Sequence, residues 1–286
     1  MASPDTPDID AVTRIIEEVA HEVIVPRYRA LRTGEIIHKN TAGYADDLVT
    51  VADREAETRL TASLLELMPA AQVLGEESAH ADAGRLALVE SEGPLWIVDP
   101  LDGTHNFAGG LDGFGVMVGF ALRGVVRAAW IYLPIRHELF VAETGCGAWF
   151  NGERIRVPGR GEGELPRGTY LSRFMPAKLR DAVTRALEPR ITPASLAGAA
   201  AVEYTDVLRG RREFVAYYRL LPWDHGAPAL ILTEGGGAVE HLDGRPYTLR
   251  SEHQLTLVTR DAELAARLRG WINTELGEVG HGTDAP

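Results

Sequence analysis

The sequence predicts a mixed α/β (α+β) protein built from stacked layers of helix and sheet. Three observations carry this. Apolar residues recur at three- and four-residue steps from Asp10 onward. Residues 72–157 hold short apolar runs separated by turn signals. From Tyr170, strand-like and helix-like segments alternate.

The first helix is expected over Asp10–Leu31. Val12, Ile15, Ile16, Val19, Ala20 and Val23 share one face, Glu17, Glu18 and Glu22 lie off it, and Pro26 ends or kinks it. Thr33–Asp46, with two glycines and mixed polar residues, reads as a loop. A second helix starts near Thr50, where Thr50 and Asp53 resemble a capping box, and continues through Ala56, Leu60, Leu64 and Leu67. Strands are expected at Gln72–Leu74, Leu95–Val98, Gly115–Leu122, Val125–Tyr132, Glu138–Ala142, Ala148–Phe150 and Arg154–Val157. Arg123-Gly124 and Asn151-Gly152 form hairpin turns between them. The Gly- and Pro-rich stretch Pro158–Arg167 divides an N-terminal half, 1–157, from a C-terminal half, 158–286. That second half reads as strand Tyr170–Ser172, helix Lys178–Leu187, an Ala-rich helix Ser195–Leu208 closed by Gly210, and strand Phe214–Tyr218. Helix Asp224–Thr233, strands Val239–Leu242 and Leu255–Val258, and helix Asp261–Leu276 complete it.

The formal net charge is −12, and no Lys/Arg run appears, so no nucleic-acid contact is expected. An acidic chain that binds an anionic ligand would need cations to neutralise it, and metal ions could supply them. The single cysteine, Cys146, excludes an internal disulfide and a cysteine-based zinc cage. Residues 1–10 lack the pattern of a secretory signal, and no apolar run has membrane-spanning length. A cytoplasmic protein without membrane contact is therefore expected.

Four clusters carry chemistry. They are Asp47-Leu-Val-Thr50-Val-Ala-Asp53, Gly75-Glu76-Glu77-Ser78, the string WIVDPLDGTHNF from Trp96 to Phe107, and Pro222-Trp223-Asp224 followed by Thr233-Glu234-Gly235-Gly236-Gly237. In the third, Pro and Gly turn the chain at a strand end and throw Asp99 and Asp102 toward one side. Their oxygens, with a carbonyl between them, suit hard cations such as Mg²⁺. The N–H groups of Gly103 and Thr104 could then meet a phosphate oxygen. Each cluster also has a plainer reading when taken alone. Asp99 and Asp102 could form a surface turn, Glu76-Glu77 a solvated acidic loop, and Asp53 and Asp224 helix caps.

Together, in order and spacing, Glu76-Glu77-Ser78, WIVDPLDGTHNF, PWD and TEGGG resemble the signatures of the inositol monophosphatase family, over roughly residues 10–270. Gly145-x-Gly147-Ala148-x-x-Asn151-Gly152 adds to the likeness. The resemblance implies a layered αβαβα sandwich, a homodimer, lithium sensitivity and two or three Mg²⁺ ions. It places one ion on Glu76, Asp99 and the Leu101 carbonyl, and a second on Asp99, Asp102 and Asp224. Glu76 also faces a weaker third. Asp47 and Thr104 would activate a water, Gly103 and Thr104 would hold the phosphate, and Glu77 and Asp53 would stand behind the ligands. Ala199, within Ser195–Ala201, would line the substrate side. The implied reaction is hydrolysis of a small phosphate monoester by direct attack of water. Inositol 1-phosphate or a related sugar or polyol phosphate is the expected substrate. Histidinol phosphate, fructose 1,6-bisphosphate, 3′-phosphoadenosine 5′-phosphate and a partner role in transcription are the alternatives. One departure stands out. Arg219 occupies about the place where family members acting on inositol phosphate carry an acid, in a segment that also looks shortened. His105, His225 and Cys146 read as structural or exposed residues.

Overall fold

The computed structural model describes residues 6–32, 34–41, 44–159 and 164–281, with the backbone alone at 38–41, 44–47 and 278–281. Helix α1 (Ile9–Val19) is capped by Asp8, whose carboxylate accepts from Ala11 N at 2.9 Å. It relaxes into a π-helical turn (Ala20–Ile24) and a 3₁₀ turn (Val25–Arg27) around Pro26, where the ring removes a helix donor. Strands β1 (Ile36–Thr41) and β2 (Tyr44–Thr50) follow as an antiparallel pair. This overturns the loop expected over Thr33–Asp46. Its polar, glycine-containing composition hid a hairpin in which Ile36 and Ile37 pair with Thr50 and Val49.

The capping box is present. Thr50 leads into α2 (Val51–Leu67) with Asp53 returning to the Thr50 N–H. Ala56, Leu60 and Leu64 are fully buried, but Leu67, in the last turn, is exposed. The chain continues through β3 (Gln72–Gly75), α3 (Glu76–Ala81), β4 (Pro94–Asp102), α4 (Thr104–Ala108), β5 (Gly115–Leu122) and β6 (Val125–Leu133). Next come β7 (Glu138–Glu143), β8 (Gly147–Phe150), β9 (Glu153–Ile155), β10 (Arg167–Tyr170), α5 (Ala177–Leu187) and β11 (Thr192–Pro193). The last elements are α6 (Ala200–Leu208), β12 (Phe214–Tyr217), α7 (Pro222–Glu234), β13 (Ala238–His241), β14 (Thr256–Thr259) and α8 (Ala262–His281). Residues 195–199 are not helical as expected. Gly198 takes φ +74° and Ala199 is extended, so α6 begins only at Ala200.

Two sheets form the frame. One runs β3-β4-β5-β6-β7-β8-β9, with β3 parallel to β4 and the rest antiparallel. The other runs β11-β10-β12-β14-β13. Helices α1 and α2 cover one face of the larger sheet, and α6 and α7 cover the other and also pack on the smaller sheet. Helices α5 and α8 cover the far side of the smaller sheet. The result is the five-layer αβαβα sandwich. Each layer boundary has its own apolar filling. Trp96, Phe120 and Trp130 pack under α1 and α2, while Met117, Ile131, Tyr204, Val215, Ile231 and Val258 fill the middle. Leu187, Leu257, Leu268 and Ile272 fill the outer boundary. The middle cluster draws on both sequence halves, so α6 and α7 are held rigidly against the end of β4. Among the described residues, no helix is long and apolar enough to cross a membrane.

Candidate active site

Strand β4 sets the site. Side chains three residues apart on a regular strand point to opposite faces. Here Asp99 pairs with Met117 and Asp102 with Gly115, so three steps on β4 match two on β5. The extra residue is a bulge at Pro100-Leu101, and it returns Asp99 and Asp102 to the same face. Asp99 is 1% exposed, and its carboxylate accepts from Leu101 N at 3.0 Å. Asp102 accepts from Ala201 N at 2.6 Å, in the first turn of α6, where a carboxylate is favoured.

Gly103 then reverses the chain at φ +85° into α4. A Cβ there would lie 2.7 Å from the Gly113 carbonyl and 2.9 Å from the Ala199 Cβ. Gly103→Ala is therefore expected to destabilise the fold by roughly 2–4 kcal/mol, from left-handed strain plus overpacking. A thermal midpoint equal to that of the parent protein would show that the turn can relax. Asn106 fastens the same turn. Its amide donates to Gly113 O at 2.6 Å and to Ala197 O at 2.8 Å, tying the motif loop to the segment that leads into α6.

Glu76 and Glu77 begin α3, and a second carboxylate holds that start in place. Glu57, 7% exposed on α2, accepts from Glu77 N at 2.7 Å and Ser78 N at 2.8 Å. Gly75 has no side chain because a Cβ would sit 2.4 Å from the Glu57 carboxyl carbon. Asp224 enters from α7, in the first turn after Pro222, a residue whose fixed φ suits a helix start. Its neighbour His225 is buried and neutral. Burial pushes the imidazole down to about 4, and its Nε2–H donates to Arg219 O at 3.0 Å while Tyr204 OH lies 2.9 Å from Nδ1. His225 is thus a structural pin behind Asp224, and His105 is exposed.

The carboxylate that meets Thr104 is Asp53. Thr104 Oγ1 lies 3.0 Å from Asp53 Oδ1 and 3.1 Å from the Leu101 carbonyl, and it donates to one or the other. Asp53 also accepts from Thr50 N at 2.8 Å. Asp53 thus meets the Thr104 hydroxyl as well as capping α2. Asp47 lies in β2 opposite Lys39, and its side chain falls outside the described residues.

The electrostatics are those of crowded acids. Burial first, then the charges of Glu76, Asp102 and Asp224, push the Asp99 carboxyl well above its usual range. Burial and then Glu76 and Glu203 carry Asp102 up to about 7, against the amides of Ala201 and Ala200, which lower it. Asp53 is raised to about 6, mainly by burial and by Glu76. Carboxylates that raise one another in this way are relieved by a cation among them, and their hard oxygens, with the Leu101 carbonyl, fit a divalent ion of the Mg²⁺ type. Glu76, Glu77 and His80 also offer ligand atoms within 4.8 Å of one another. Arg219 and Ala199 line the adjoining cavity, beside Asp102 and Asp224.

Sequence reasoning missed Glu57, Asn106 and the Asp53–Thr104 contact. A signal existed for Glu57 alone, an acid that shares the buried face of α2 with Asp53, Leu60 and Leu64.

Known proteins resemble this chain in sequence and in overall fold. The family model for the inositol monophosphatase family matches residues 8–276. The chain is 30% identical over 240 residues to a Thermotoga maritima protein named fructose-1,6-bisphosphatase/inositol-1-monophosphatase, covering 83% of this chain and 86% of that one. It is 32% identical over 234 residues to the Nus factor SuhB of Pseudomonas aeruginosa, covering 79% and 83%. The solved structure of the Thermotoga maritima IMPase superposes with a TM-score of 0.78 at 25% identity, over 95% of this chain and 98% of that one.

Proposed function

Because the chain belongs to the inositol monophosphatase family of metal-dependent phosphoric monoester hydrolases, we propose that it uses Mg²⁺ to hydrolyse a small phosphate monoester, inositol 1-phosphate or a related sugar or polyol phosphate. The observation that carries this reading is the β4 bulge. It turns Asp99 and Asp102 to one face, where the charges of Glu76 and Asp224 also act on Asp99. In this proposal Glu76, Asp99, Asp102, Asp224 and the Leu101 carbonyl hold two or three ions. Bound there, the ions would neutralise the phosphate and the leaving alkoxide and lower the pKa of a water.

The chain's own groups do the rest. The Gly103 and Thr104 amides, freed from strand pairing by the turn, offer N–H groups to a phosphate oxygen. The Thr104 hydroxyl, whose proton goes to Asp53 or to the Leu101 carbonyl, presents a lone pair that orients the attacking water. Asp53 is 1% exposed and fastened to Thr50, so the orientation is fixed before substrate arrives. Glu57 and Glu77 hold Glu76 in place through the start of α3. The homodimer, the lithium sensitivity and the cytoplasmic location belong to the same proposal.

The test is phosphate release from inositol 1-phosphate, fructose 1,6-bisphosphate, histidinol phosphate and 3′-phosphoadenosine 5′-phosphate, each with Mg²⁺ and with EDTA. Turnover that needs Mg²⁺ is expected with at least one ester. Turnover unaffected by EDTA would remove the metal reading.

A further inference from the structure

Next to the acids lies a cavity of about 210 Å³. Asp102, Glu203 and Asp224 give its wall a negative side. Phe174, Tyr217 and Arg219 stand there as well. Arg219 is the only Lys or Arg among the described residues of that lining. We infer that the site is built for a phosphate monoester whose alcohol carries a second anionic group, recognised by Arg219 with help from Tyr217 in the same cavity lining. This rests on the proposed phosphatase reading and narrows its substrate.

Three observations support it. First, Arg219 is held in position. Its guanidinium lies over the Phe174 ring at 4.3 Å from the centroid. Stacking engages the flat face of a guanidinium, and its N–H groups lie in the plane, where a phosphate or carboxylate is met by two parallel hydrogen bonds. Second, the peptide unit that follows it is held at both its carbonyl and its N–H. His225 Nε2 donates to the Arg219 carbonyl at 3.0 Å, and Leu220 N donates to His253 Nδ1 at 3.1 Å. The first clamp comes from α7, one residue beyond Asp224, so the Arg219 backbone is tied to the helix turn that carries Asp224. Third, the Tyr217 hydroxyl is buried yet has no hydrogen-bond partner among the described residues. A buried O–H without an acceptor is costly, and Tyr217 is among the residues that line this same cavity. An acceptor on the ligand satisfies it.

The donor chemistry points to an anion more than to a polyol. Arg offers donors and no acceptor, whereas the hydroxyls of a polyol need both. An anion also offsets the cost of taking a guanidinium out of water, which a neutral hydroxyl does only weakly.

Two matched pairs test this on the full chain with Mg²⁺. Fructose 1,6-bisphosphate against fructose 1-phosphate supplies a second phosphate. 3-Phosphoglycerate against glycerol 3-phosphate supplies a carboxylate. In at least one pair the doubly anionic ester is expected to have the higher kcat/KM, by about tenfold or more. Arg219→Gln should collapse that ratio toward one, with the loss in KM, and Arg219→Lys should restore it only in part. Tyr217→Phe should raise KM for the preferred ester. If the hydroxyl served no ligand, the same change would leave KM alone and raise the thermal midpoint. Equal rates within both pairs, or a ratio that survives Arg219→Gln, would overturn the inference and leave Arg219 as a counter-charge to the acids. Calorimetric binding of the same pairs with Ca²⁺ in place of Mg²⁺ separates the two readings. Discrimination by binding without turnover would sink the phosphatase reading and keep this one. Absence of both would sink this one too.

Discussion

Asp99→Asn is expected to abolish phosphate release while making the metal-free protein more stable. The two effects have one cause. Asp99 is 1% exposed, and its carboxyl is pushed well up by burial and by Glu76, Asp102 and Asp224. A charge there is unfavourable to the fold when no cation is bound. Asparagine keeps the shape and still accepts from Leu101 N, so the bulge of β4 survives. The charge needed to hold cations does not. A loss of at least about a thousandfold in kcat is expected from removing such a group. In EDTA the variant should gain on the order of 2 kcal/mol from relief of like-charge crowding, a rise of roughly 4–8 °C in a chain of this size. Phosphate release and thermal melting measure the two separately. Near-normal kcat would remove Asp99 from the metal site, and a lower melting point in EDTA would contradict the crowding argument.

The second large effect is a reversal of the pH dependence of stability by Mg²⁺. Asp53 has a folded pKa of about 6 and Asp102 of about 7, both above the ordinary value of 3.8. Between pH 4 and 7 the folded state therefore binds more protons than the unfolded chain. Stability from these groups is fully present below about pH 4 and is lost as pH rises through 6 and 7. The shift at Asp53 alone corresponds to about 3 kcal/mol across that window. On the proposed reading Mg²⁺ competes with protons for the Asp102 oxygens and its charge favours the ionised form of nearby Asp53, so its binding strengthens as both ionise. Melting curves in EDTA should fall from pH 5 to pH 8, and those in millimolar Mg²⁺ should separate upward from them over the same range. Curves that stay parallel across that range would mean that no cation binds these carboxylates.

Much of the site was legible because its chemistry is local. An apolar run ending in Asp-Pro-Leu-Asp-Gly-Thr announces a strand end, a sharp turn and two acids within seven residues. Thr50 and Asp53 announce a helix start for the same reason, since the partners in a capping box lie three residues apart. The hairpin turns were legible too. Arg123-Gly124 and Asn151-Gly152 both adopt positive φ at their two central residues, as tight hairpins demand. Failures came where local pattern was weak. The β1–β2 hairpin carries too few apolar residues to alternate visibly. The segment before α6 looked helical by its alanines, and Gly198 broke it by a backbone angle that composition does not reveal.

By itself the sequence determined the acidic turn, the caps, the layered fold class and the family likeness, because each depends on residues close together in the chain. Only the tertiary structure decided that Asp53 meets Thr104 across 51 residues, that Asn106 fastens Ala197 across 91, and that α6 donates to Asp102 across 99. It likewise decided that Glu57 caps α3 and that Arg219 stacks on Phe174 beside the acids. The physical reason is the same in each case. A short motif fixes its own turn through φ, ψ and neighbouring hydrogen bonds, but the partner of a buried polar group is chosen by how the layers pack, and no local spacing encodes that choice.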